Sequence, residues 1–485
     1  MMKTFLYLCG FCFLASLIGA NDRPNVLFIA VDDMRAELGC LGSPVVKSPN
    51  IDKLAARGML FERAYCQQAV CNPSRASLLT GLYPWTLRIW DLLTHFRERR
   101  PDIVTLPQHF KNNGYQTEGV GKIFHNWRQD DYKGDAVSWS VPEFMHYNTH
   151  GADEAKVKGK LPPDEANVPR TEMRDVPDNA YFDGRIAGRA VKTLQRLAKE
   201  ETPFFLGVGF WKPHAGFNAP KKYWDMYDRS QIGRAANPNP PEGVPEIALH
   251  DGREIMRGFK KNPGGRPSPD EEVILRHGYY AAISYVDAQI GKVVDELNRL
   301  GLAKNTVIVF WSDHGFHLGE NGLWAKTSNF ELDARVPMII VKPGQKSGES
   351  TKALVELIDM YPTLVDMCGL PELKHDLEGV SLVPLLNGKM DSVKDAAWTW
   401  HPRPAYPPER SDPTVMGYSM RTPAFRYTEW RKVSDGEIVG RELYDHRNDP
   451  DETRNVVSAG EKTKEVKDLQ QRMRQQMPIG AGLNP

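Results

Sequence analysis

The sequence predicts an α/β protein built on a large, mostly parallel sheet flanked by helices, followed by a smaller C-terminal α+β subdomain. Three observations predict this fold class. Continuous apolar runs, typical of strands buried on both faces of a parallel sheet, recur at 25–31, 203–209, 306–311 and 336–341. Helical periodicity occupies segments between these runs. After residue 388 the pattern changes to short β-rich pieces such as 418–420 and 425–428.

The first elements follow a strand, loop, helix, strand order. The run at 25–31 ends abruptly in Asp32 and Asp33. Pro49 then opens a short helix that Gly58 stops, and extended structure resumes at 59–61. This order is typical of an α/β sheet.

The clearest helix precedes the run at 306–311. Its apolar residues alternate spacings of four and three, which places them on one helical face, and Gly301 ends it. That face consists of Tyr279, Ile283, Val286, Ile290, Val293, Leu297 and Leu300. A second, polar helix is predicted at 465–477.

Two long segments, 130–177 and 218–269, are rich in Pro, Gly, Asp and Lys and lack sustained periodicity. Loops of this length usually form a binding surface. We therefore expect them to build the rim of a cleft.

The N-terminus predicts a secretory signal peptide at 1–20. Lys3 precedes an apolar run at 5–18, and small Ala20 suits a cleavage site. An uncleaved anchor is the alternative interpretation. No later run approaches the ~20 apolar residues of a membrane span, so we expect a secreted or periplasmic protein without a span after signal removal. A large N-terminal domain at 21–390 and a C-terminal subdomain at 391–485 complete the predicted organisation.

Charge and cysteine content argue against a nucleic-acid-binding protein and against a fold held together by disulfide bonds. The chain has 62 Lys and Arg against 62 Asp and Glu, so it lacks the basic field of nucleic-acid-binding proteins. Four cysteines remain after signal removal: Cys40, Cys66, Cys71 and Cys368. A chain of 485 residues can form a hydrophobic core without disulfide bonds to stabilise it. If one cysteine is catalytic, an odd number remains, which argues for at most one disulfide.

Carboxylates cluster at two predicted strand ends. Asp32 and Asp33 follow the first strand, and Asp313 and His314 follow the strand at 306–311. Buried carboxylates need a positive partner, and oxygen ligands favour Ca²⁺ or Mg²⁺ over zinc, although an imidazole is unusual for calcium. A helix cap or a loop salt bridge is the alternative interpretation.

The segment Cys71-Asn72-Pro73-Ser74-Arg75, followed by Thr80-Gly81, resembles the signature of type I sulfatases. In that family the cysteine is converted to formylglycine (3-oxoalanine), whose hydrate supplies the nucleophile. Further segments resemble iduronate-2-sulfatases and their bacterial relatives, in family order. They are Ser48-Pro49-Asn50-Ile51-Asp52, Gly121-Lys122-Ile123-Phe124-His125, Lys212-Pro213-His214, Ser312-Asp313-His314-Gly315 and Trp324-Ala325-Lys326.

The resemblance implies an alkaline-phosphatase-like sandwich and a catalytic sulfatase domain at 21–390. It implies that Asp32, Asp33, Asp313 and His314, with the formylglycine made from Cys71, hold Ca²⁺. A divalent cation and fixed cations suit this chemistry because a nucleophile must approach an anionic sulfate ester.

The resemblance also implies roles for the remaining groups. Arg75 would stabilise the charged gem-diol, and Lys122 would bind both the diol and the sulfate. His125 would take a proton so that sulfate is eliminated, and His214 and Lys326 would protonate the leaving alkoxide and hold the ester oxygens. A formylglycine-generating maturation enzyme is then a required partner.

The expected substrate is a sulfated saccharide. Lys212, His214 and Lys326 belong to segments that lie beside the substrate in the resembling enzymes, and their positive charge exceeds the need of one sulfate. This predicts a second anion and favours a uronate 2-sulfate at a non-reducing chain end. Phe316 and His317 replace the tryptophan and alanine of lysosomal members, which we expect to alter the pocket wall.

Three alternatives remain at this point. The substrate could be a sulfated sugar from an algal polysaccharide. The alkaline-phosphatase-like fold also serves phosphodiesterases and phosphonate hydrolases. A glycan-binding protein that has lost catalysis is a third reading, against which the complete set of site residues argues.

Overall fold

The computed structural model describes residues 23–125, 134–144, 161–408 and 411–476. The predicted signal peptide at 1–20 lies outside the described residues, as do parts of the predicted loop at 130–177. Among the described residues, no helix combines the length and apolar character needed to cross a membrane.

The main sheet has seven strands in the order β11-β2-β10-β7-β1-β5-β3. Their bounds are β1 Asn25–Asp32, β2 Met59–Tyr65, β3 Gln116–Gly121, β5 Phe204–Pro213, β7 Thr306–Ser312, β10 Arg335–Val341 and β11 Glu349–Glu356. All neighbours pair in parallel except β10, which runs antiparallel to both β2 and β7. The predicted mostly parallel sheet is confirmed, with the strand at 336–341 reversed.

The central strand β1 shows why its sequence is apolar without interruption. Leu27, Ile29 and Val31 pack into the core on one face of the sheet, whereas Val26 and Phe28 pack into the core on the other. Each residue is therefore buried whichever way it points, as in sheets covered on both sides.

Helices cover both faces of this sheet. The helices longer than four residues are α1 Pro49–Ala55, α2 Cys71–Thr80, α5 Leu106–Asn112, α6 Phe182–Leu197, α9 Pro269–Arg299, α11 Met360–Met367 and α13 Thr463–Gln476. The four-residue helices are α3 Pro84–Leu87, α4 Phe96–Arg99, α7 Lys221–Trp224, α8 Arg253–Met256, α10 Glu331–Ala334 and α12 Val383–Leu386. Helices α1, α6 and α9 contribute to one core, and α2, α5 and α11 to the other.

Helix α9 begins ten residues before the first apolar position of its predicted face. Ser268 is its N-cap and forms a capping box with Glu271, while Pro269 occupies the first turn. Leu275 is buried four residues before Tyr279 and extends the predicted apolar face, and the polar first turn lies before it.

The predicted loop at 218–269 contains short elements as well as irregular backbone. Strand β6 (Phe217–Pro220) pairs with β4 (Thr171–Arg174), and α7 and α8 follow. Strands β8 (His317–Leu318) and β9 (Trp324–Ala325) form a second small pair. The four cysteines Cys40, Cys66, Cys71 and Cys368 are free, in agreement with the expectation of at most one disulfide.

The C-terminal part forms a four-stranded antiparallel sheet covered by α13, which confirms the small α+β unit. Its strands are β12 Ala397–Arg403, β13 Val415–Arg421, β14 Phe425–Lys432 and β15 Ile438–Asp445, in that order. Leu469 and Met473 of α13 pack against this sheet.

A buried ionic seam joins this sheet to the main one. Arg426 of β14 donates from Nη2 to Glu331 of α10 at 2.6 Å and from Nε to Glu452 at 2.7 Å. Tyr65, the last residue of β2, donates its hydroxyl to Glu331 at 3.0 Å. His446 completes the seam against Glu452 at 2.8 Å. The seam therefore links β2, α10 and β14 through one guanidinium.

Replacing the central cation of this seam tests its contribution. We expect Arg426→Met to lower the free energy of unfolding by about 3–5 kcal/mol, because two buried carboxylates lose the cation that bridges them. The measurement is urea unfolding followed by fluorescence. Arg447→Gln is the matched control, since Arg447 is 53% exposed beside Asp445 and such pairs contribute about 0–1 kcal/mol. Equal effects of the two changes would contradict this account.

Candidate active site

The predicted site residues converge at the carboxyl ends of adjacent strands. Asp32 and Asp33 stand at the end of β1, Asp313 and His314 follow β7, Lys122 and His125 follow β3, and His214 follows β5. These four strands are neighbours in the sheet. The carboxyl edge of a parallel sheet is where α/β proteins place their ligands.

Three carboxylates lie fully buried at this edge. Asp32, Asp33 and Asp313 are each 0% exposed. Asp313 accepts the backbone N–H of Asp33 at 3.1 Å, which joins the ends of β1 and β7. Asp33 has a φ of 65°, in the left-handed region that a non-glycine residue adopts at a cost in free energy. The turn at Asp33 is thus held by the site around it.

Arg75 holds two of these carboxylates from α2. Its Nε donates to Asp313 at 2.8 Å, and its Nη2 lies 3.5 Å from Asp32. The other N–H groups donate to the carbonyl oxygens of Val31, Lys122 and Ile123 at 2.6–3.1 Å. Because all five N–H donors of a guanidinium are then committed, Arg75 acts on residue 71 through charge and through the carboxylates it positions. Stabilisation of the charged gem-diol by Arg75 stays a prediction.

Lys122 adds a second cation beside Asp32, and Lys326 is the cation beside Asp33. Lys122 Nζ lies 2.5 Å from Asp32, and Lys326 Nζ lies 2.8 Å from Asp33. Burial alone would raise the pKa of Asp32, but Lys122, His214 and Arg75 hold it well below its usual range. Burial raises the pKa of Asp33 to about 7 against the opposing effect of Lys326. The site thus holds Asp33 less firmly in its charged form than Asp32.

His314 presents its Nε2 to this cluster. Its Nδ1 lies 2.9 Å from the carbonyl oxygen of Gly315, which only accepts, so Nδ1 carries the proton. Nε2 lies 3.2 Å from Asp33 and 3.3 Å from the Cys71 sulfur. A backbone acceptor that fixes the ring in this way is typical of metal-binding histidines.

One possible metal-binding group follows from this geometry. One ligand atom from each of Asp32, Cys71, Asp313 and His314 lies within 4.8 Å of the others, and a second overlapping set contains Asp33 and His214. Two or three carboxylates with one imidazole suit a hard divalent cation. The donor set therefore fits a metal at this position.

Cys71 is the first residue of α2 and is 2% exposed. Burial raises the pKa of its thiol well above the usual range, with Asp32 adding to the effect. The thiolate is the reactive form of cysteine, so the unmodified side chain is a weak nucleophile here. The N-terminus of α2 does favour a negative charge at this position.

The two candidate proton-transfer histidines are both held neutral. Burial and then Lys326 lower the pKa of His214 to about 4. Burial and Lys122 lower the pKa of His125 well below its usual range. The backbone oxygen of Ala215 accepts from His214 Nδ1 at 2.6 Å, which leaves Nε2 facing Glu254 at 3.4 Å.

Lys212 does not supply the free positive charge that the sequence predicted. Its Nζ donates to the carbonyl oxygens of His214 and Gly216 at 3.0 and 2.5 Å. Asp183 accepts the backbone N–H groups of Trp211 and Lys212, both at 2.9 Å. Lys212 therefore shapes the turn that carries His214 and does not face the substrate.

A cavity of about 420 Å³ opens over this cluster. Its wall includes the predicted residues Cys71, His125, His214 and Lys326. It also includes Asp91, Leu92, Leu93, Arg170, Ala215, Arg253, Glu254, Arg257, Tyr406 and Pro407. Arg170, Arg253, Glu254 and Arg257 come from the two long segments, so these parts of the segments form the rim of the cleft.

Phe316 and His317 do not form the cavity wall, contrary to the prediction. Both are 0% exposed. Phe316 stacks on Tyr279 at a centroid distance of 5.6 Å, and His317 Nδ1 lies 2.6 Å from Asp333. Phe316 packs in the core and His317 is buried against Asp333, so their departure from the family pattern affects packing.

Glu254 is the functional residue that sequence reasoning missed. Its carboxylate lies 2.8 Å from Lys326 Nζ. Burial would raise its pKa, but Lys326 and His214 lower it to about 2. Glu254 sits on a four-residue helix inside an aperiodic segment, where neither spacing nor a motif marks it.

Two families match the chain. The family described as Sulfatase matches residues 24–370. The family described as N-sulphoglucosamine sulphohydrolase, C-terminal, matches residues 319–478. Together they cover both sheets.

Relatives and solved structures agree with these matches. Iduronate 2-sulfatase of Mus musculus is 35% identical over 90% of this chain and 92% of that protein. A sulfatase of Formosa agariphila is 31% identical over 93% of this chain and 88% of that protein. Phosphonate monoester hydrolase of Silicibacter pomeroyi superposes with a TM-score of 0.76 at 24% identity, over 94% and 96% of the two chains. At this identity the superposition shows a shared fold alone, and it confirms the predicted alkaline-phosphatase-like architecture.

The burial of His317 gives a test of the corrected pocket wall. We expect His317→Ala to lower the free energy of unfolding by about 2–4 kcal/mol, because the buried carboxylate of Asp333 loses a charge-assisted hydrogen bond. The ratio of kcat/KM values for an aryl sulfate and a sugar sulfate should stay within about twofold of wild type. A changed ratio with unchanged stability in urea would place His317 in the pocket wall after all.

Proposed function

The chain belongs to the sulfatase family and is a sulfuric ester hydrolase, and we propose that its substrate is a sulfated saccharide, specifically a uronate 2-sulfate. The observation that carries this proposal is the cluster of Cys71, buried carboxylates and paired cations at one end of the cavity. The similarity to iduronate 2-sulfatase over most of both chains supports the substrate class.

We propose that formylglycine made from Cys71 is the functional side chain at this position. The raised pKa of the thiol supports this, because a buried neutral thiol is poorly suited to attack an anion. The hydrated aldehyde would supply an oxygen nucleophile at the N-terminus of α2. Because Cys71 is 2% exposed in the folded chain, a maturation enzyme would have to act before the fold closes.

We propose Ca²⁺ as the metal, held by Asp32, Asp33, Asp313 and His314 with residue 71. The oxygen-rich donor set supports this choice, and the Gly315 carbonyl oxygen engages His314 Nδ1, so Nε2 is the nitrogen that would bind the ion. When bound, the ion would supply positive charge against the sulfate oxygens.

The two lysines beside the ion would bind oxygen atoms of the substrate. Lys122 keeps its charge because Asp32 raises its pKa against the effect of burial, so it can bind a sulfate oxygen. Asp33 and Glu254 likewise raise the pKa of Lys326 well above its usual range despite burial. Lys326 is therefore better suited to hold an ester oxygen than to release a proton.

His125 and His214 are then the groups that move protons. His125 is neutral and can accept the proton that is lost when sulfate is eliminated. His214 must first gain a proton to protonate the leaving alkoxide. A bound anionic ester favours that protonation, because a nearby negative charge raises the pKa of an imidazole.

The similarities to known proteins give less support to a phosphonate ester as the substrate than to a sulfate ester. The superposition with the phosphonate monoester hydrolase shows the fold alone, so it does not favour phosphonate chemistry. An algal polysaccharide as the source of the sulfated sugar is tested by the kinetics of a sulfated uronate against a neutral sugar sulfate. Secretion rests on the sequence pattern at 1–20.

Conversion of Cys71 can be observed directly. In active protein we expect mass spectrometry of the tryptic peptide to show the aldehyde at residue 71. Cys71→Ser should lose turnover, because one hydroxyl could accept sulfate but could not expel it. Sustained activity with a fully unmodified Cys71 would refute the proposal.

Metal binding can be measured without turnover. Calcium at about 100 times its Kd should stabilise the protein by about 2.7 kcal/mol, seen as a rise in Tm. Asp32→Asn should abolish this calcium-dependent rise. Asp183→Asn is the matched control and should keep it, since Asp183 is buried near the same sheet edge but binds backbone N–H groups. A calcium effect that survives Asp32→Asn would place the ion elsewhere.

A further inference from the structure

Three arginines from the two long segments line the same cavity as Cys71. Arg170 belongs to the segment that leads into β4, and Arg253 and Arg257 belong to α8 and the residue that ends it. Arg257 is exposed and the other two are half-buried, whereas Cys71 is buried. Their guanidinium groups therefore lie on the solvent side of the cavity.

The described part of the chain leaves two of these side chains without a partner. Arg170 Nε is buried and has no hydrogen-bond acceptor. The side chain of Arg257 makes no hydrogen bond or ion pair within the described ranges. Arg253 is partly engaged, at 3.2 Å from exposed Asp251 and 5.5 Å from the Tyr406 ring. A buried donor without an acceptor is costly, so these groups suit an anionic ligand.

The acidic groups of the cavity cannot balance these arginines. Glu254 is already paired with Lys326. Asp91 accepts the backbone N–H groups of Leu93 and Thr94 at 2.6 and 2.7 Å. Four cationic side chains thus line the cavity against two carboxylates that are both engaged.

The fold brings the arginines together. Arg253 and Arg257 are four residues apart in helical backbone, so they lie on one side of that turn. A Cβ atom built on Gly258 would lie 3.3 Å from Arg170 Cγ, so Arg170 packs against the residue next to Arg257. The ion pair between Glu254 and Lys326 anchors α8 over the catalytic cluster. This ion pair therefore sets the distance between the three arginines and the cations of the catalytic cluster.

We propose that Arg170, Arg253 and Arg257 form a second anion subsite, which binds a carboxylate on the same sugar that carries the scissile sulfate. This inference rests on the proposed function and identifies the residues that select its substrate class. Guanidinium groups bind carboxylates through paired, parallel N–H donors. The subsite takes the place of Lys212, whose Nζ is bound to backbone carbonyls. A cavity of about 420 Å³ has room for one sugar and both of its anions.

The test compares a sulfated uronate with its carboxyl methyl ester. Binding is measured by calorimetry in the Cys71→Ser background, which removes any need for turnover. We expect Arg170→Gln and Arg257→Gln each to weaken binding of the free uronate by about 10–100-fold, as for loss of a charge-assisted hydrogen bond. Binding of the methyl ester should change by less than about threefold. Lys260→Gln is the matched control, because exposed Lys260 lies in the same segment outside the cavity wall.

The outcomes separate the subsite from the proposed function. Equal losses for the free acid and the ester would overturn the subsite and assign the arginines to the sulfate or to folding. Unchanged binding of both ligands would overturn it as well. A selective loss for a neutral sugar disulfate, with the uronate unaffected, would reject the carboxylate. Sulfate release by converted wild-type protein, followed by ion chromatography, independently tests the hydrolase activity.

Discussion

The structure depends on the burial of three carboxylates at the joined ends of β1 and β7. Charges removed from water are stable only when opposite charges and hydrogen bonds surround them. Arg75, Lys122 and Lys326 meet this need, and each comes from a different element. Helix α2, strand β3 and the β9 turn are therefore fixed relative to one another by one electrostatic requirement. The same requirement explains why the edge can accept a divalent cation and an anionic ester together.

The sequence predicted the parts of the site that follow strands. The pairs Asp32-Asp33 and Asp313-His314 could be placed because carboxyl ends of parallel strands meet at one edge. The antiparallel direction of β10 could not be predicted, because a continuous apolar run shows that a strand is buried but not in which direction it runs. Glu254 and Arg170 lie in aperiodic segments, and only tertiary contacts bring them to the cavity. His317 was misplaced because a departure from a family pattern indicates a difference without showing which way a side chain points.

The site combines strongly charged cations with neutral proton carriers. Burial acts on each group in the direction of its neutral form, and only groups with a close counter-ion resist it. Lys326 resists because Asp33 and Glu254 surround it, whereas His125 does not. The division between groups that bind and groups that transfer protons therefore follows from whether nearby carboxylates outweigh the cost of burial at each side chain.

The ionic seam around Arg426 limits how this protein can be divided. Glu331 belongs to the segment before β10, and Glu452 follows β15, so a joint near residue 390 would separate a guanidinium from one of its two carboxylates. The stacked pair Trp85 and Trp400, with ring centroids 3.4 Å apart, crosses the same boundary. Buried contacts thus join the two sheets across this boundary. Chimaeras between relatives should fold only when the seam residues on both sides come from the same parent.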